Sequence, residues 1–283
     1  MNTVENISLG KKIRVFIKHN GRLIVGATLV LAMILMAVFA PLLTQYDPNA
    51  TDIRNRYQTP SAEHIMGTDG SGNDLWAQVV YGARASLLIA FASQIATMIV
   101  GAMLGLICGF YPKVDMVIMR ILEAINSLPS ILLIFVLGMV FGNSYFNLIL
   151  TLVIAGMGGP TRYIRAQVMS LRQKEFVERE VAMGASTPRI MFMHVLPQCS
   201  SYLLVTLGSG LSSKIMSLAS MSFLGVGLPS GVPNWGTLIS AGQVQLMLYP
   251  YLVFYPMIAL AITNFGFSML GDGLRDLLDP KTH

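Results

Sequence analysis

The chain has 283 residues, of which 54% are hydrophobic and only 12% are charged, with a formal net charge of +5. A soluble protein carries about 25% charged residues, so this composition excludes an ordinary soluble domain. The apolar residues form runs long enough to cross a bilayer, which predicts an integral membrane protein. The positive charge is accounted for by membrane orientation and does not indicate nucleic-acid binding.

The first predicted unit is a polar, basic N-terminal segment, residues 1–22. It is too long to precede the apolar core of a signal peptide, and no small-residue cleavage site follows the first apolar run. Residues 23–43 are therefore predicted to stay as transmembrane helix 1, about 31 Å long. Ile13, Phe16 and Ile17 share one helical face, which fits either a helix on the membrane surface or a solvated tail.

Residues 44–82 are predicted to form a polar extracytoplasmic loop. The run from Asp69 resembles the start of a calcium loop, but Asp74 occupies the place of its turn glycine and no glutamate closes it. Calcium binding is therefore not predicted. Residues 74–84 are predicted to form a short amphipathic helix on the membrane, with Leu75, Val79 and Val80 facing lipid.

Residues 83–275 form the predicted core, with transmembrane helices 2–6 near residues 86–110, 116–141, 146–164, 200–226 and 248–270. Gly101, Gly105 and Gly109 recur every four residues and give the second span a smooth face for close helix packing. Pro129 is predicted to kink the third span. Arg120 and Glu123, three residues apart, are predicted to pair on one face of that span.

Orientation follows from the basic residues. When the N-terminus is placed in the cytoplasm, the opposite side of the membrane holds only Arg54, Arg56 and Arg84, and all other Lys and Arg of the loops lie inside. Six spans return the tail, residues 276–283, to the cytoplasm. Both termini are therefore predicted to be cytoplasmic.

The segment between the fourth and fifth spans carries charge and two prolines. Good helix formers from residue 175 to 183 predict a helix that ends at Gly184 in the left-handed conformation. Thr187 followed by Pro188 predicts a new N-cap, and the second short helix is predicted to stop at Pro197. The result is a helix–turn–helix whose bend consists of Ala182, Gly184, Ala185 and Ser186.

This segment resembles the cytoplasmic loop of importer-type ABC permeases. Glu178, Gly184, Leu196 and Pro197 match the pattern of that loop at the right spacing, whereas Arg179 and Glu180 replace its two alanines. The resemblance implies contact with ATPase subunits through the loop from Glu178 to Pro197. The coupling residues it implies lie at or near the bend: Glu178, Arg179, Glu180, Ala182, Gly184, Ala185 and Ser186.

Further motifs are similar to those of the dipeptide, oligopeptide and nickel class of these permeases. They lie at residues 46–48, 67–69, 81–87, 222–227, 235–236 and 271–280, so the resemblance covers nearly the whole chain from the first span onward. Two positions depart from the family. Asn73 stands where a basic residue is usual, and Leu218 stands where many members have an acidic one.

The resemblance implies an all-α integral membrane protein with six transmembrane helices, the type I importer ABC permease fold and a cytoplasmic coupling helix. It implies one half of a translocation pathway in a bacterial cytoplasmic (inner) membrane. The expected partners are a homologous second permease subunit, two ABC ATPase subunits, an extracytoplasmic substrate-binding protein and the lipid bilayer. ATP and Mg²⁺ are expected on the ATPase subunits, with no cofactor or metal on this chain, whose sequence has no phosphate-binding loop.

Peptides are the predicted cargo, and nickel or a metal-chelate complex is the alternative. The 19 methionines do not decide between them, because methionine is also a flexible filler of apolar helices. Two more distant alternatives are a channel that works without ATP and an intramembrane enzyme. The enzyme has little support, because the four histidines are scattered and form no His-Glu-x-x-His motif.

Lys214 lies in the middle of the fifth span, where a lone lysine costs about 2.5 to 3.5 kcal/mol on insertion scales. It is therefore predicted to face a water-filled path or a polar partner. In one interpretation it lines the translocation path with Ser213 and Ser217 and favours anionic cargo. In the other it pairs with an acid on the second permease subunit or extends along the helix towards the membrane surface.

Overall fold

The computed structural model describes residues 20–229 and 231–278, and helices joined by loops make up this part of the chain. The helices are α1 (Gly21–Val38), α2 (Ala40–Leu43), α3 (Leu75–Phe110), α4 (Pro112–Asn126), α5 (Ser130–Phe141), α6 (Tyr145–Gly156), α7 (Gly158–Leu171), α8 (Glu175–Ala182), α9 (Thr187–Arg189), α10 (Ser200–Phe223), α11 (Trp235–Gln243) and α12 (Tyr251–Leu278). A 3₁₀ turn occupies Ile53–Asn55. The predicted surface helix around Ile13, Phe16 and Ile17 lies outside the described residues, as do the last five residues of the tail.

Four helices of the described chain are long and apolar enough to cross a membrane: Gly21–Val38, Leu75–Phe110, Thr187–Phe223 and Tyr251–Leu277. The bent pair α4 and α5 makes a fifth if it is one span. The all-α membrane fold is thereby confirmed. Six spans remain a prediction, because α6 has 12 residues and would cover only about 18 Å without α7.

Helix α3 is the central element, with 36 residues that pack against α1, α6, α7 and α10. Its apolar side chains point in all directions, which is typical of a helix enclosed by others. Ile89 and Leu106 are fully buried on it, and Phe267 of α12 is equally buried on the neighbouring side of the bundle.

The prediction of an amphipathic surface helix at residues 74–84 was wrong. Asp74 caps α3 by accepting a hydrogen bond from the Ala77 amide at 2.7 Å, and the helix then runs unbroken to Phe110. Leu75 and Val79 are 1% exposed, because they belong to a core cluster with Trp235 of α11. The prediction identified the apolar face correctly, but other parts of the protein bury that face instead of lipid.

Residues 44–74 form a cap over this end of α3, and we call them the cap. Long-range hydrogen bonds fasten it: Asn49 Nδ2 donates to the Gly231 carbonyl at 2.8 Å, and the Tyr251 hydroxyl donates to the Thr68 carbonyl at 3.2 Å. The Asp69 carboxylate accepts from backbone and side-chain N–H groups of Ser71, Asn73 and Gln78. Asp69 therefore acts as an anchor of the turn.

The third predicted span is bent much more sharply than the kink predicted at Pro129. Helices α4 and α5 meet at 96°, and Pro129 is the extended residue before α5, with φ −54° and ψ 130°. Proline has no N–H for the helix ladder and disfavours helical geometry in the residue before it, so the helix breaks there. Arg120 and Glu123 pair at 2.8 Å as predicted, but both side chains are more than half exposed.

Candidate functional site

The segment 175–189, which we call the knuckle, lies at the opposite end of α3 from the cap. Helix α8 ends at Ala182, and Gly184 has φ +81°, which is the left-handed conformation predicted for it. The amides of Gly184 and Ala185 close the turn by donating to the carbonyls of Val181 and Glu180, both at 3.0 Å. Glycine adopts this conformation without the steric penalty that a Cβ would bring.

Two details of the predicted helix–turn–helix were wrong. The N-cap of α9 is Ser186, in extended geometry, and Thr187 is already helical. The following helix does not stop at Pro197, because the chain continues through a π turn (Ile190–Val195) and a 3₁₀ turn (Leu196–Cys199) into α10. Pro197 sits at the start of the 3₁₀ turn, where its missing N–H is not needed, so the helix changes pitch instead of ending.

Three charged residues of the knuckle have ion-pair partners within the chain. Arg179 pairs with Glu175 at 3.0 Å along α8, and Glu180 lies 3.6 Å from His194 Nε2 of the π turn. Glu178 is exposed and lines a cleft of about 380 Å³ between the knuckle and the end of α3. The contact of Glu180 with His194 ties the two arms of the bend together.

The tip of the knuckle is apolar and uncovered, which the sequence reasoning missed. Val181 is 60% exposed and Met183 is 72% exposed, and the neighbouring Ala182 and Gly184 are exposed as well. The sequence did carry a signal, because Val177 alone fills the buried face of α8 while Val181 and Met183 add apolar surface beyond it. Exposed apolar groups beside a tight turn are suited to burial by a partner.

The knuckle is held to the end of α3 by Arg172. Its Nη1 donates to the Gly109 carbonyl at 2.7 Å, and its guanidinium lies 5.1 Å from the centre of the Phe110 ring. Nearby, the Arg165 guanidinium of α7 makes a two-pronged ion pair with the Asp115 carboxylate of α4. Arg172 follows α7 three residues before the knuckle, so its contacts hold the base of the knuckle to α3, and the Arg165–Asp115 pair joins α7 to α4.

Gly101, Gly105 and Gly109 all face α7. A Cβ built on Gly101 would lie 2.6 Å from the Pro160 Cβ, and one on Gly105 would lie 2.7 Å from the Thr161 carbonyl oxygen. A Cβ on Gly109 would lie 2.6 Å from the Val168 Cβ. The absent side chains are thus what allows α3 and α7 to approach so closely.

Ser213 and Ser217 line a pocket of about 230 Å³ between α10 and α5, together with Ser130, Ile131, Ile134, Phe135, Met216, Ser220, Met221 and Leu224. Four hydroxyl groups and no charged side chain belong to this lining. The pocket can therefore offer neutral hydrogen-bond donors and acceptors beside apolar surface.

Lys214 is directed at α6, whereas the two serines line the pocket beside α5. Its side chain is 6% exposed, and its ammonium group donates a hydrogen bond to the Leu152 carbonyl of α6. The structure therefore brings Ser213 and Ser217 together in one pocket and places Lys214 in the helix packing beside them. Within residues 20–229 and 231–278, no group of three or more His, Cys, Asp and Glu side chains is arranged to hold a metal ion.

Comparison with known proteins identifies the family. The family described as "Binding-protein-dependent transport system inner membrane component" matches residues 101–283, and the "N-terminal TM domain of oligopeptide transport permease C" matches residues 8–60. The oligopeptide transport system permease protein OppC of Bacillus subtilis is 35% identical over 278 residues, which cover 98% of this chain and 91% of that protein.

Two further relatives agree. The dipeptide transport system permease protein DppC of Alkalihalophilus pseudofirmus is 38% identical over 94% of this chain and 88% of its own. The di/tripeptide transport system permease protein DppC of Pseudomonas aeruginosa is 33% identical over 93% of this chain and 89% of its own. With its long apolar helices, this is a multi-pass inner-membrane protein. The chain belongs to the family of binding-protein-dependent transport system inner membrane components, as a non-catalytic permease subunit.

Proposed function

We propose that the chain forms one half of the translocation pathway of an ATP-driven importer of peptides. The observation that carries the proposal is the similarity, over nine tenths of the chain, to permeases named for oligopeptide, dipeptide and di/tripeptide transport. A homologous permease subunit supplies the other half, and an extracytoplasmic binding protein delivers the peptide. The N- and C-termini lie in the cytoplasm, on the side of the knuckle.

The knuckle is the proposed contact with two ATPase subunits, which carry the ATP and Mg²⁺. Its exposed Val181 and Met183 support this role, because they are apolar and uncovered beside the tight turn at Gly184. The contact residues are the set named from the sequence: Glu178, Arg179, Glu180, Ala182, Gly184, Ala185 and Ser186. Closure of the ATPase subunits moves the knuckle, and coupling requires that its contacts differ between the two states.

Ser213 and Ser217 are the proposed lining of the path in this subunit. A peptide backbone presents neutral N–H and C=O groups, and the four serine hydroxyls of the α5–α10 pocket can exchange hydrogen bonds with them. A lining without charge does not select the charge of the peptide side chains, which suits transport of varied sequences.

The test is uptake by the purified complex in proteoliposomes, with binding protein outside and ATP enclosed. Labelled di- and oligopeptides are expected to accumulate only with both ATP and binding protein, and an ATPase-inactive complex is the control. Accumulation of ⁶³Ni²⁺ or a nickel chelate without peptide would favour the alternative cargo. Uptake that needs no ATP would overturn the proposal of an ATP-driven importer.

Contact at the knuckle has its own test. Ala182→Cys and Ala185→Cys, each carrying a photoactivatable thiol-reactive probe, are expected to crosslink to an ATPase subunit. Met247→Cys, at a position 96% exposed near the cap, is the control and is expected to give no such product. Knuckle cysteines that react freely with a bulky aqueous thiol reagent in the assembled complex would overturn the contact.

A further inference from the structure

The starting observation is how Lys214 is accommodated inside the membrane bundle. Its ammonium is enclosed between helices and donates to the backbone carbonyl of Leu152. None of the ion pairs among the described residues includes it. A main-chain acceptor, and not a carboxylate, therefore holds a buried lysine in place.

Helix α6 has a notch that fits this ammonium. A Cβ built on Gly156 would overlap Lys214 Nζ and lie 3.3 Å from its Cε and 3.4 Å from Thr97 Cγ2. Leu152 and Gly156 lie one turn apart on the same face of α6. The ammonium thus lies over the last turn of α6, just before the junction with α7 at Met157.

The next turn of the chain has a second notch. A Cβ built on Gly158 would lie 2.6 Å from Asn126 Nδ2, at the end of α4 beside the 96° bend. The junction between α6 and α7 at Met157 is therefore flanked by two polar side chains, Lys214 from α10 and Asn126 from α4. In each case a Cβ on the glycine would meet the end of the polar side chain and displace it.

The position of Lys214 has a consequence for the rest of α10. Successive residues of a helix are turned by about 100°, so a fixed direction for one side chain fixes the directions of its neighbours. With Lys214 held against α6, Ser213 and Ser217 point into the pocket between α10 and α5. Ser212 Oγ donates to Asn264 Oδ1 of α12 at 2.6 Å, so hydrogen bonds fix α10 at this level on its α12 side as well as on its α6 side. Lys214 is the residue that fixes the α6 side.

We propose that Lys214 is a positioning residue for transport: its ammonium, held in the Gly156 notch, sets the rotation of α10 and so presents Ser213 and Ser217 to the peptide. This rests on the proposed function, in which these serines line the path. Lys214 itself makes no contact with the cargo.

The decisive experiment is a double-mutant cycle between the notch and the lysine. Gly156→Ala alone fills the notch and displaces the ammonium, so peptide transport is expected to fall about tenfold. In a Lys214→Ala background the notch is empty, and adding Gly156→Ala is expected to change transport by less than about twofold. Gly159→Ala is the matched control, because a Cβ there meets nothing within 4 Å.

The rotation is read by a cysteine at Ser217 in a chain whose buried Cys108 and Cys199 are replaced by alanine. A small hydrophilic thiol reagent is expected to label Ser217→Cys in the unaltered background and several-fold more slowly after Lys214→Ala or Gly156→Ala. The KM for peptide is expected to rise in the same variants, equally for acidic and neutral peptides. A selective loss of acidic peptides would overturn the proposal, because it would mean that the ammonium touches the cargo.

The yield of assembled complex is measured for the same variants and analysed with the same double-mutant cycle. A variant that assembles poorly is therefore still informative. Additive effects of the two substitutions, on yield or on transport, would show that Lys214 and Gly156 do not interact and would overturn the proposal. Unchanged labelling of Ser217→Cys in all variants would contradict the claim that Lys214 sets the rotation of α10. If Ser217→Cys is not labelled even in the unaltered background, the proposed path fails, while non-additive yields would still establish the contact between Lys214 and Gly156.

Discussion

The cap and the knuckle, at opposite ends of α3, differ in how the rest of the chain fastens them. The cap is fastened by hydrogen bonds to distant segments, and its Tyr57 ring stacks on Tyr249 at 4.4 Å. The knuckle has mostly local contacts and leaves Val181 and Met183 exposed. The cap also leaves apolar side chains exposed, Ile53 at 70% and Ile65 at 61%, so exposure alone does not separate the two regions. The comparison indicates that distant segments of the chain fix the conformation of the cap, whereas local contacts fix that of the knuckle.

The strongest way to break this comparison is Gly184→Val. Gly184 has φ +81°, and a Cβ there meets no atom of the chain within 4 Å, so the damage is confined to the turn and the surface that it presents. The left-handed conformation costs a residue with Cβ about 1–2 kcal/mol. We expect normal insertion and loss of peptide-stimulated ATP hydrolysis, measured on the purified complex.

Gly142→Val is the matched control. Gly142 has φ +80° and ψ 177°, which penalises a residue with Cβ at least as much as the left-handed turn does, and its surroundings are open, but it lies at the end of α5. It is expected to keep stimulated hydrolysis. Equal losses in both variants would mean that backbone strain anywhere is enough, and the special role of the knuckle would be lost.

The second prediction concerns the cap. Asp74 accepts from the Ala77 amide at 2.7 Å and from His64 Nδ1 at 2.9 Å, and both side chains of the pair are almost fully buried. Asp74→Ala removes a helix cap and leaves a buried imidazole without its acceptor, so the free energy of unfolding should fall by about 1–3 kcal/mol. Thermal inactivation of the complex in detergent measures the loss.

Asp52→Ala is the control for the cap. Asp52 also caps a short turn, at 3.0 Å from the Arg54 amide, but it is exposed. Its removal is expected to lower the inactivation temperature much less. Hydrolysis per assembled complex should be unchanged in both variants, and an uncoupled Asp74→Ala complex would contradict the separation between cap and knuckle.

These regions also show what the sequence could predict. The spans, the turn at Gly184 and the close glycine face of α3 follow from local rules of helix composition and conformation. The cover over Leu75 and Val79 was not predictable, because lipid and protein are equally apolar and leave the same pattern in the sequence. The 96° bend at Pro129 exceeded the predicted kink, since proline marks a break but the neighbouring helices set its angle.

Lys214 shows the same limit within the candidate site. Its burial was predictable from the cost of a lysine in a bilayer, but its direction depended on a notch at Gly156, far away in the sequence. Ser213 and Ser217 were grouped with it because they are close in sequence. Successive residues of a helix are turned by about 100°, so Ser213 points well away from Lys214. Ser217, three residues on, lies beside Lys214 on the helix surface but lines the pocket next to α5.

The third prediction sharpens the comparison through one exposed side chain at each end. Met183→Ser in the knuckle is expected to weaken retention of the ATPase subunits by about 1 kcal/mol, or about fivefold in affinity, because it removes apolar surface from the contact. Met247→Ser, near the cap and 96% exposed, should leave retention unchanged. Retention is measured as the salt-stable fraction of ATPase that copurifies. Equal retention in both variants would mean that Met183 is not covered.

The smallest effect on stability is expected at the exposed ion pair of the knuckle. Glu175 and Arg179 pair at 3.0 Å, with side chains 84% and 74% exposed, so solvent screens the pair. Glu175→Gln should change the free energy of unfolding by less than about 0.5 kcal/mol. The same substitution leaves Arg179 without its partner in the chain. If Arg179 contacts an ATPase carboxylate, retention in low salt should stay the same or rise, and a large fall would assign the contact to Glu175 instead.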